Sequence, residues 1–225
     1  MGKRLTLPLL FIAATALGCS WLSDRSASNS TSISNAADQP ASSTTSATTR
    51  DNPSAEIEAM ADRFLSEKTF RAKMLGIGEK DKEVKTDMEF VAPDRFRIKT
   101  GPGLETIVIG KEMYVSMQGK FIKLPGAMPT SIPNLRETFN KEGRQWFSDV
   151  RYVGEEAVDG KPAYVYEYKN KGPDKLGEND SKIWVAKDGG LPLRIESKFK
   201  NGNFKSMTIE YEYDPNITIE VPNTK

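Results

Sequence analysis

The spacing of apolar residues changes from helical to alternating near Thr69. Before this point apolar residues recur every three or four positions, and charged residues occupy the opposite side. Asn52 suits a helix N-cap, and Pro53 suits the first helical position. The pattern predicts one amphipathic helix over roughly Ser54–Lys68. Its apolar stripe, which we interpret as a packing face, consists of Ile57, Met60, Ala61, Phe64 and Leu65.

Beyond Thr69, apolar and polar residues alternate, as expected of strands with one buried face. Pairs such as Asp159-Gly160 and Asn201-Gly202 favour the tight turns of hairpins. We predict roughly ten antiparallel strands in a meander, closed by a long hairpin of Leu191–Lys200 and Asn203–Tyr213. So many antiparallel strands form a sandwich, a barrel or a strongly curved sheet.

The alternation is interrupted between Leu124 and Gln145. The segment 124–129 is apolar but rich in Pro and Gly, and we predict that a short helix follows it and reaches Phe139. An insertion of this length in a compact domain is typical of functional loops. Two interpretations stay open, a lid over a binding site or a plug at one end of the sheet. The candidate lid residues are Leu124, Met128, Ile132 and Leu135.

The first eighteen residues have the pattern of a secretory signal. The basic pair Lys3-Arg4 precedes an apolar run from Leu5 to Leu17, and small residues follow. A run of roughly a dozen apolar residues is too short to cross a bilayer core, which needs about 20 helical residues. We therefore predict that residues 1–18 are cleaved and that the chain is exported.

The sequence around Cys19 resembles the lipobox of bacterial lipoproteins. Ala16-Leu17-Gly18-Cys19 matches that motif except that Ala16 stands where leucine is most common. The resemblance implies that the Cys19 thiol receives a diacylglyceryl group and becomes the first residue of a membrane-anchored protein. The alternative is an ordinary cysteine at the end of a conventional signal peptide. Ser20 resembles the residue that directs Gram-negative lipoproteins to the outer membrane, which implies the periplasmic face of that membrane if the envelope is Gram-negative.

Residues 19–51 are predicted to form the lipidated cysteine and a disordered tether. The segment is dominated by Ser, Thr, Ala and Asn, so it cannot bury enough apolar surface to offset the entropy of ordering its backbone. Some 30 flexible residues have a typical reach of about 30 Å. The folded domain is predicted to occupy residues 52–225.

Composition restricts the chemistry of this domain. The chain has 225 residues, 32 Lys and Arg against 31 Asp and Glu, one cysteine and no histidine. Without an excess of basic residues we expect no nucleic acid, and without histidine or a spare thiol we expect no metal site, no cofactor and no catalytic triad. Glu155 and Glu156 are adjacent, so on a strand they point to opposite faces and cannot act as a carboxylate pair. We predict that the protein is not an enzyme.

Several motifs together resemble one family. These are the strand start Pro93-Asp94-Arg95, the Pro-rich insertion, and the segment Ile183–Asp188 with Leu191–Ile195 after it. The order resembles the outer-membrane lipoprotein-sorting superfamily, with its LolA-like and LolB-like carriers and LppX/LprG-type lipid-binding lipoproteins. The resemblance covers nearly all of residues 52–225. It implies an α+β fold that is mainly antiparallel, a half-open barrel covered by an N-terminal helix and a helical lid.

The resemblance also implies an apolar cavity for acyl chains. The residues that we predict to line it or its mouth are Met88, Phe90, Phe96, Ile98, Ile107, Ile109, Met117, Phe121, Trp146, Tyr164 and Tyr166. The alternative for each residue is an ordinary place in the core. We expect a monomer that binds or transfers acyl chains of a lipid or lipoprotein. The alternative is an interaction or sensor module that has a filled barrel and binds an envelope protein partner.

Overall fold

The structure is a computed structural model, and it describes residues 50–117, 119–125, 135–172 and 178–224. They belong to one compact unit. Within these residues, no helix has the length and apolar character needed to cross a membrane.

The N-terminal helix, α1, spans Pro53–Ser66. The Asn52 side chain accepts a hydrogen bond from the Ala55 amide at 3.1 Å, and Pro53 occupies the first turn, where its missing N–H is not needed. Ile57, Met60 and Phe64 are buried, so the helical stripe is a packing face, as the sequence predicted.

Within the described part of the chain, eleven strands form one antiparallel sheet. They are β1 Thr69–Gly78, β2 Glu83–Val91, β3 Arg95–Thr100, β4 Leu104–Ile109, β5 Glu112–Met117, β6 Lys120–Leu124, β7 Phe147–Val158, β8 Lys161–Asn170, β9 Asn179–Ala186, β10 Pro192–Phe199 and β11 Phe204–Glu212. The strand order is β6-β5-β4-β3-β2-β1-β11-β10-β9-β8-β7, so β6 and β7 are the two edges and the sheet does not close into a barrel. This confirms the mainly antiparallel, half-open architecture, with one strand more than the rough count.

Pairing of β1 with β11 joins the first and last strands at the centre of the sheet. Every other pair of neighbouring strands in the sheet is also consecutive in the chain. The consecutive strands β6 and β7 do not pair, because they lie at opposite edges. The predicted closing hairpin is confirmed as β10 and β11. Asp159 and Gly160, both with positive φ, form the turn between β7 and β8 that the Asp-Gly pair predicted.

The two faces of the sheet are covered differently. We call the side covered by α1 the inner face, and it carries the main hydrophobic core. The outer face carries two smaller clusters. One surrounds the buried Trp184, and in the other Ile107 and Tyr114 pack against Ile219 of the C-terminal segment. Arg95 Nη1 holds this segment by donating to the Ile219 carbonyl at 2.7 Å.

Between β6 and β7, the described residues 135–146 include two short helices. Helix α2 spans Leu135–Phe139 and α3 spans Lys141–Arg144. Leu135 and Phe139 are buried in the main core. Arg136 donates to the backbone carbonyls of Phe64, Leu65 and Glu67, and it thereby caps the C-terminus of α1.

Candidate functional site on the inner face

Apolar side chains form continuous rows across the inner face from β1 to β6. The pairing register places Phe70, Phe90, Phe96, Val108, Met113 and Leu124 side by side in one row. The neighbouring row contains Ala72, Met88, Ile98, Thr106, Val115 and Ile122. Both rows are buried at β1 and become exposed at the β6 edge.

Helix α1 fills the centre of this face. The Phe64 ring lies 5.1 Å from Phe70, 5.4 Å from Phe139 and 5.3 Å from Tyr211, between ring centroids. Such tilted and edge-on contacts stabilise aromatic clusters beyond the burial of their area. The centre of the inner face is therefore a packed core.

Arg136 reaches into this core from α2. Its guanidinium lies 4.7 Å from the centroid of the Phe90 ring, and burial lowers the pKa of this guanidinium. The carbonyls at the end of α1 take up its hydrogen bonds, as the negative end of a helix favours. Arg136 thus ties the α2 segment to the helix that covers the sheet.

The two apolar rows extend beyond the cover of α1 at the β6 edge of the inner face. Leu104 is 48% exposed, Ile122 46% and Leu124 37%, and the half-buried Val115 lies between β4 and β6. We call these four residues the apolar corner. Val115 pairs with Ile122 across β5 and β6, so Ile122 and its neighbour Leu124 continue the two buried rows. Leu104 lies on the same face of β4, two residues before Thr106, which pairs with Val115. Adjoining exposed apolar side chains are typical of binding surfaces, in contrast to isolated ones.

The opposite end of the inner face has a different character. A cleft of about 400 Å³ lies between α1 and the β8–β9 strands. We call it the cationic cleft, and its walls include Arg50, Arg63, Tyr164, Tyr166 and Lys187.

Glu56 connects two walls of the cationic cleft. Its carboxylate accepts a hydrogen bond from Arg50 Nε at 2.6 Å and another from the Tyr166 hydroxyl. The hydrogen bond to Glu56 raises the pKa of the Arg50 guanidinium, and burial together with Glu56 raises the pKa of Tyr166. Both groups therefore keep their protons at any physiological pH.

Two cations lie against one aromatic ring in the cleft. Arg50 Cζ is 3.8 Å and Lys187 Nζ 5.0 Å from the centroid of the Tyr164 ring, within the range of cation–π attraction. Lys187 also donates to Glu155 at 2.5 Å, and this bond raises the pKa of the lysine.

Arg63 lies against a glycine at the edge of the cleft. A Cβ atom built on Gly190 would lie 2.5 Å from Arg63 Nη1, and Gly190 has a φ of +63°. The positive φ favours glycine here, and the missing Cβ leaves room for the guanidinium. No carboxylate of the described residues forms an ion pair with Arg63, whose exposed guanidinium lines the cleft.

No protein-family model matches this sequence, and no curated protein matches it. Solved structures do resemble the fold. LprF from Mycobacterium bovis has a TM-score of 0.58 at 12% identity, over 77% of this chain and 98% of LprF. The Mycobacterium tuberculosis lipoprotein LppX has a TM-score of 0.52 at 13% identity, over 75% of this chain and 98% of LppX. The chain has the fold of LprF and LppX. The family resemblance predicted from the sequence is thus confirmed for the fold.

Within this LppX-type fold, four of the predicted cavity residues occupy the inner face. Met88, Phe90, Phe96 and Ile98 are buried in the main core on β2 and β3. They contact the packed centre of the face, beneath α1 and α2, and do not reach the exposed corner.

Three of the predicted cavity residues lie on the outer face. Ile107 is buried there, and Ile109 and Phe121 pack against the same cluster as Ile219. The reason is that β4 carries consecutive apolar residues, so alternation alone does not select the inner one. Among the consecutive residues Ile107, Val108 and Ile109 of β4, Val108 faces inward. On β6 the inward residue is Ile122 and not Phe121.

The remaining four predicted residues lie in three separate places. Tyr164 and Tyr166 line the cationic cleft. Trp146 lies in the turn after α3, 39% exposed, and its carbonyl accepts from the Lys171 amide at 3.0 Å. Met117 pairs with Lys120 at the end of β5.

Two of the four candidate lid residues are placed by the structure. Leu124 is in the apolar corner, and Leu135 is buried in the main core. Met128 and Ile132 lie outside the described residues, as does Cys19.

Sequence reasoning missed Leu104, Ile122, Arg50, Arg63 and Lys187. Counting the alternation of β6 back from Leu124 would have found Ile122, because side chains two apart share a face. The cations gave no comparable signal, since surface Arg and Lys are common everywhere in the chain.

Proposed function

We propose that this protein is a membrane-tethered envelope lipoprotein that binds acyl chains at the apolar corner of its inner face. In this proposal it is a binding or transfer protein and not an enzyme. Cys19 is its lipidation site, and residues 19–51 tether the domain to the membrane.

The observation that carries the proposal is the exposure of Ile122 and Leu124 at the open end of the two apolar rows, together with the exposure of Leu104 on β4. Burying one such side chain stabilises a complex by about 1.5–3 kcal/mol, so several together can hold one acyl chain. An acyl chain fits this corner because it is long, narrow and without hydrogen-bonding groups, like the rows that lead into it.

The predicted tether supports the same proposal. Two or three acyl chains on Cys19 would hold the protein durably at a bilayer, at about 0.8 kcal/mol per buried methylene. A domain kept beside a membrane has lipids and other lipoproteins as neighbours, and these supply acyl chains.

The first test is to identify what the protein carries. The chain from residue 20 to 225 keeps the compact unit intact, and it is to be exported from bacteria with a cleavable signal and purified without detergent. Solvent extraction and mass spectrometry are expected to find a lipid or acylated molecule in stoichiometric amount. An empty protein that also ignores a fluorescent monoacylglycerol would overturn the proposal.

The second test locates the site. Leu104→Lys and Ile122→Lys are expected to weaken binding of the uncharged fluorescent monoacylglycerol by roughly 10-fold to 100-fold each, because each removes apolar contact and adds a charge. Val153→Lys is the matched control, since Val153 is 38% exposed on the opposite edge strand β7. Equal affinity in all four proteins would place acyl binding elsewhere.

A further inference from the structure

The cationic cleft has no part in the acyl-binding proposal, and it has the features of a separate ligand site. We propose that it binds the phosphate group of an anionic phospholipid headgroup. The proposal does not depend on the apolar corner, since the two sites share no residue, but it rests on the proposed lipid anchor for the choice of a membrane phosphate.

The first step of the argument is charge. Three cations, Arg50, Arg63 and Lys187, line the cleft, against one lining carboxylate, Glu56. Glu155 reaches Lys187 from β7, so the five groups together keep one positive charge in excess. Arg63 supplies this excess, because among the described residues it is the lining cation without a carboxylate partner.

The second step is preorganisation. The Tyr164 ring lies against both Arg50 and Lys187, and Glu56 and Glu155 hold these two cations in place. Cations that are already in place lose little side-chain entropy when an anion binds. Arginine also matches phosphate oxygens with two parallel N–H groups, so Arg63 suits a phosphate better than a small spherical anion.

The third step is size. A volume of about 400 Å³ is within the range of small-molecule sites and is far larger than one phosphate, so the rest of a headgroup can enter with it. Val185 also lines the cleft, and it provides apolar surface for a glycerol unit.

The fourth step is location. Arg50 lines the cleft and lies directly before α1, at the end where the predicted tether enters the domain. A lipid anchor at Cys19 would keep this end of the domain within reach of the membrane surface. Anionic lipid surfaces attract Lys and Arg side chains, which makes a phospholipid headgroup the abundant phosphate source there.

The test uses the chain 20–225, which lacks the lipid anchor, with vesicles of phosphatidylcholine alone or mixed with phosphatidylglycerol. Co-sedimentation is expected to show binding only to the phosphatidylglycerol vesicles.

Arg63→Gln and Lys187→Gln are each expected to weaken this binding about tenfold, the usual effect of losing one charge-assisted hydrogen bond. Glu155→Gln is expected to strengthen it, because the substitution frees Lys187. Misfolding would raise sedimentation with phosphatidylcholine vesicles as well, so a gain confined to phosphatidylglycerol vesicles keeps this variant informative if the others are unstable.

Arg151→Gln is the matched control. Arg151 is an arginine like Arg63, but it lies on β7 and outside the cleft. Its side chain is 72% exposed and pairs with Glu167. If Arg151→Gln weakens vesicle binding as much as Arg63→Gln, the attraction is general surface charge and the proposal is wrong. Equal binding to both vesicle types also overturns it. Binding of soluble glycerol phosphate that Arg63→Gln abolishes, without a preference among vesicles, would assign the cleft to a free phosphate ester and overturn the headgroup assignment.

Discussion

The two ends of the inner face differ although one sheet forms both. At the apolar corner, β4 to β6 extend the rows of the core past the cover of α1, and Leu104, Ile122 and Leu124 are exposed. At the cationic cleft, Arg50 and Lys187 lie against Tyr164 and pair with Glu56 and Glu155, and Arg63 leaves one positive charge in excess.

The difference shows that strand alternation sets only which side chains share a face. What a ligand meets there depends on what covers the face and on which loops border it. The apolar corner attracts by burial of apolar area, which has no direction and no dependence on charge. The cationic cleft attracts by charge, which acts over distance and is screened by salt.

The largest expected effect concerns the helix that separates the two ends. Phe64→Ala removes a fully buried ring that contacts Phe70, Phe139 and Tyr211. We expect the free energy of unfolding to fall by about 3–5 kcal/mol, measured by urea denaturation, because the substitution leaves a cavity in the core. Leu65→Ala is the control on the same helix, and its half-buried side chain is expected to cost about 1–2 kcal/mol. Equal losses would mean that Phe64 does not fix α1 on the sheet.

A change of salt is expected to separate the two ends without any substitution. Raising sodium chloride from about 0.05 M to about 0.5 M shortens the Debye length from roughly 14 Å to roughly 4 Å. Binding to phosphatidylglycerol vesicles is expected to weaken severalfold, whereas binding of the uncharged monoacylglycerol stays the same or strengthens slightly. If salt weakens vesicle binding and monoacylglycerol binding by the same factor, the two ends do not bind by different forces and the comparison is wrong.

The smallest expected effect belongs to the outer face, which serves as a reference for both ends. Lys182 Nζ and Trp184 Nε1 each donate to Glu156 at 2.8 Å and lower the pKa of its carboxyl group below its ordinary value of 4.5. Because the folded state has the lower pKa, this stabilisation is present above pH 4.5 and is lost as the pH falls through the folded pKa. Glu156→Gln should therefore reduce stability near neutral pH and have no effect in acid.

The size of this change is limited by solvent. The Glu156 side chain is 49% exposed, so we expect a loss well under about 1 kcal/mol in urea titrations at a series of pH values. Glu196→Gln on the same face is the control and should change stability less. A loss that persists unchanged below pH 3 would show that packing, not charge, accounts for the role of Glu156.

Local patterns were sufficient to predict much of the fold. Asn52 and Pro53 marked the start of α1, and Asp159-Gly160 marked a hairpin, because caps and turns are decided by a few neighbouring residues. The opposite directions predicted for Glu155 and Glu156 also agree with their partners, Lys187 for the first and Trp184 for the second.

The sequence by itself determined the helix, the antiparallel meander and its resemblance to lipoproteins, since each depends on short-range spacing. Only the tertiary structure decided which face each apolar residue of β4 and β6 occupies. Ile219 covers the outer face there, so apolar residues are favoured on both sides and alternation becomes ambiguous. Only the tertiary structure brought Arg50, Arg63 and Lys187 together, because three side chains far apart in the chain meet through the packing of α1 on β8 and β9, which no local pattern records.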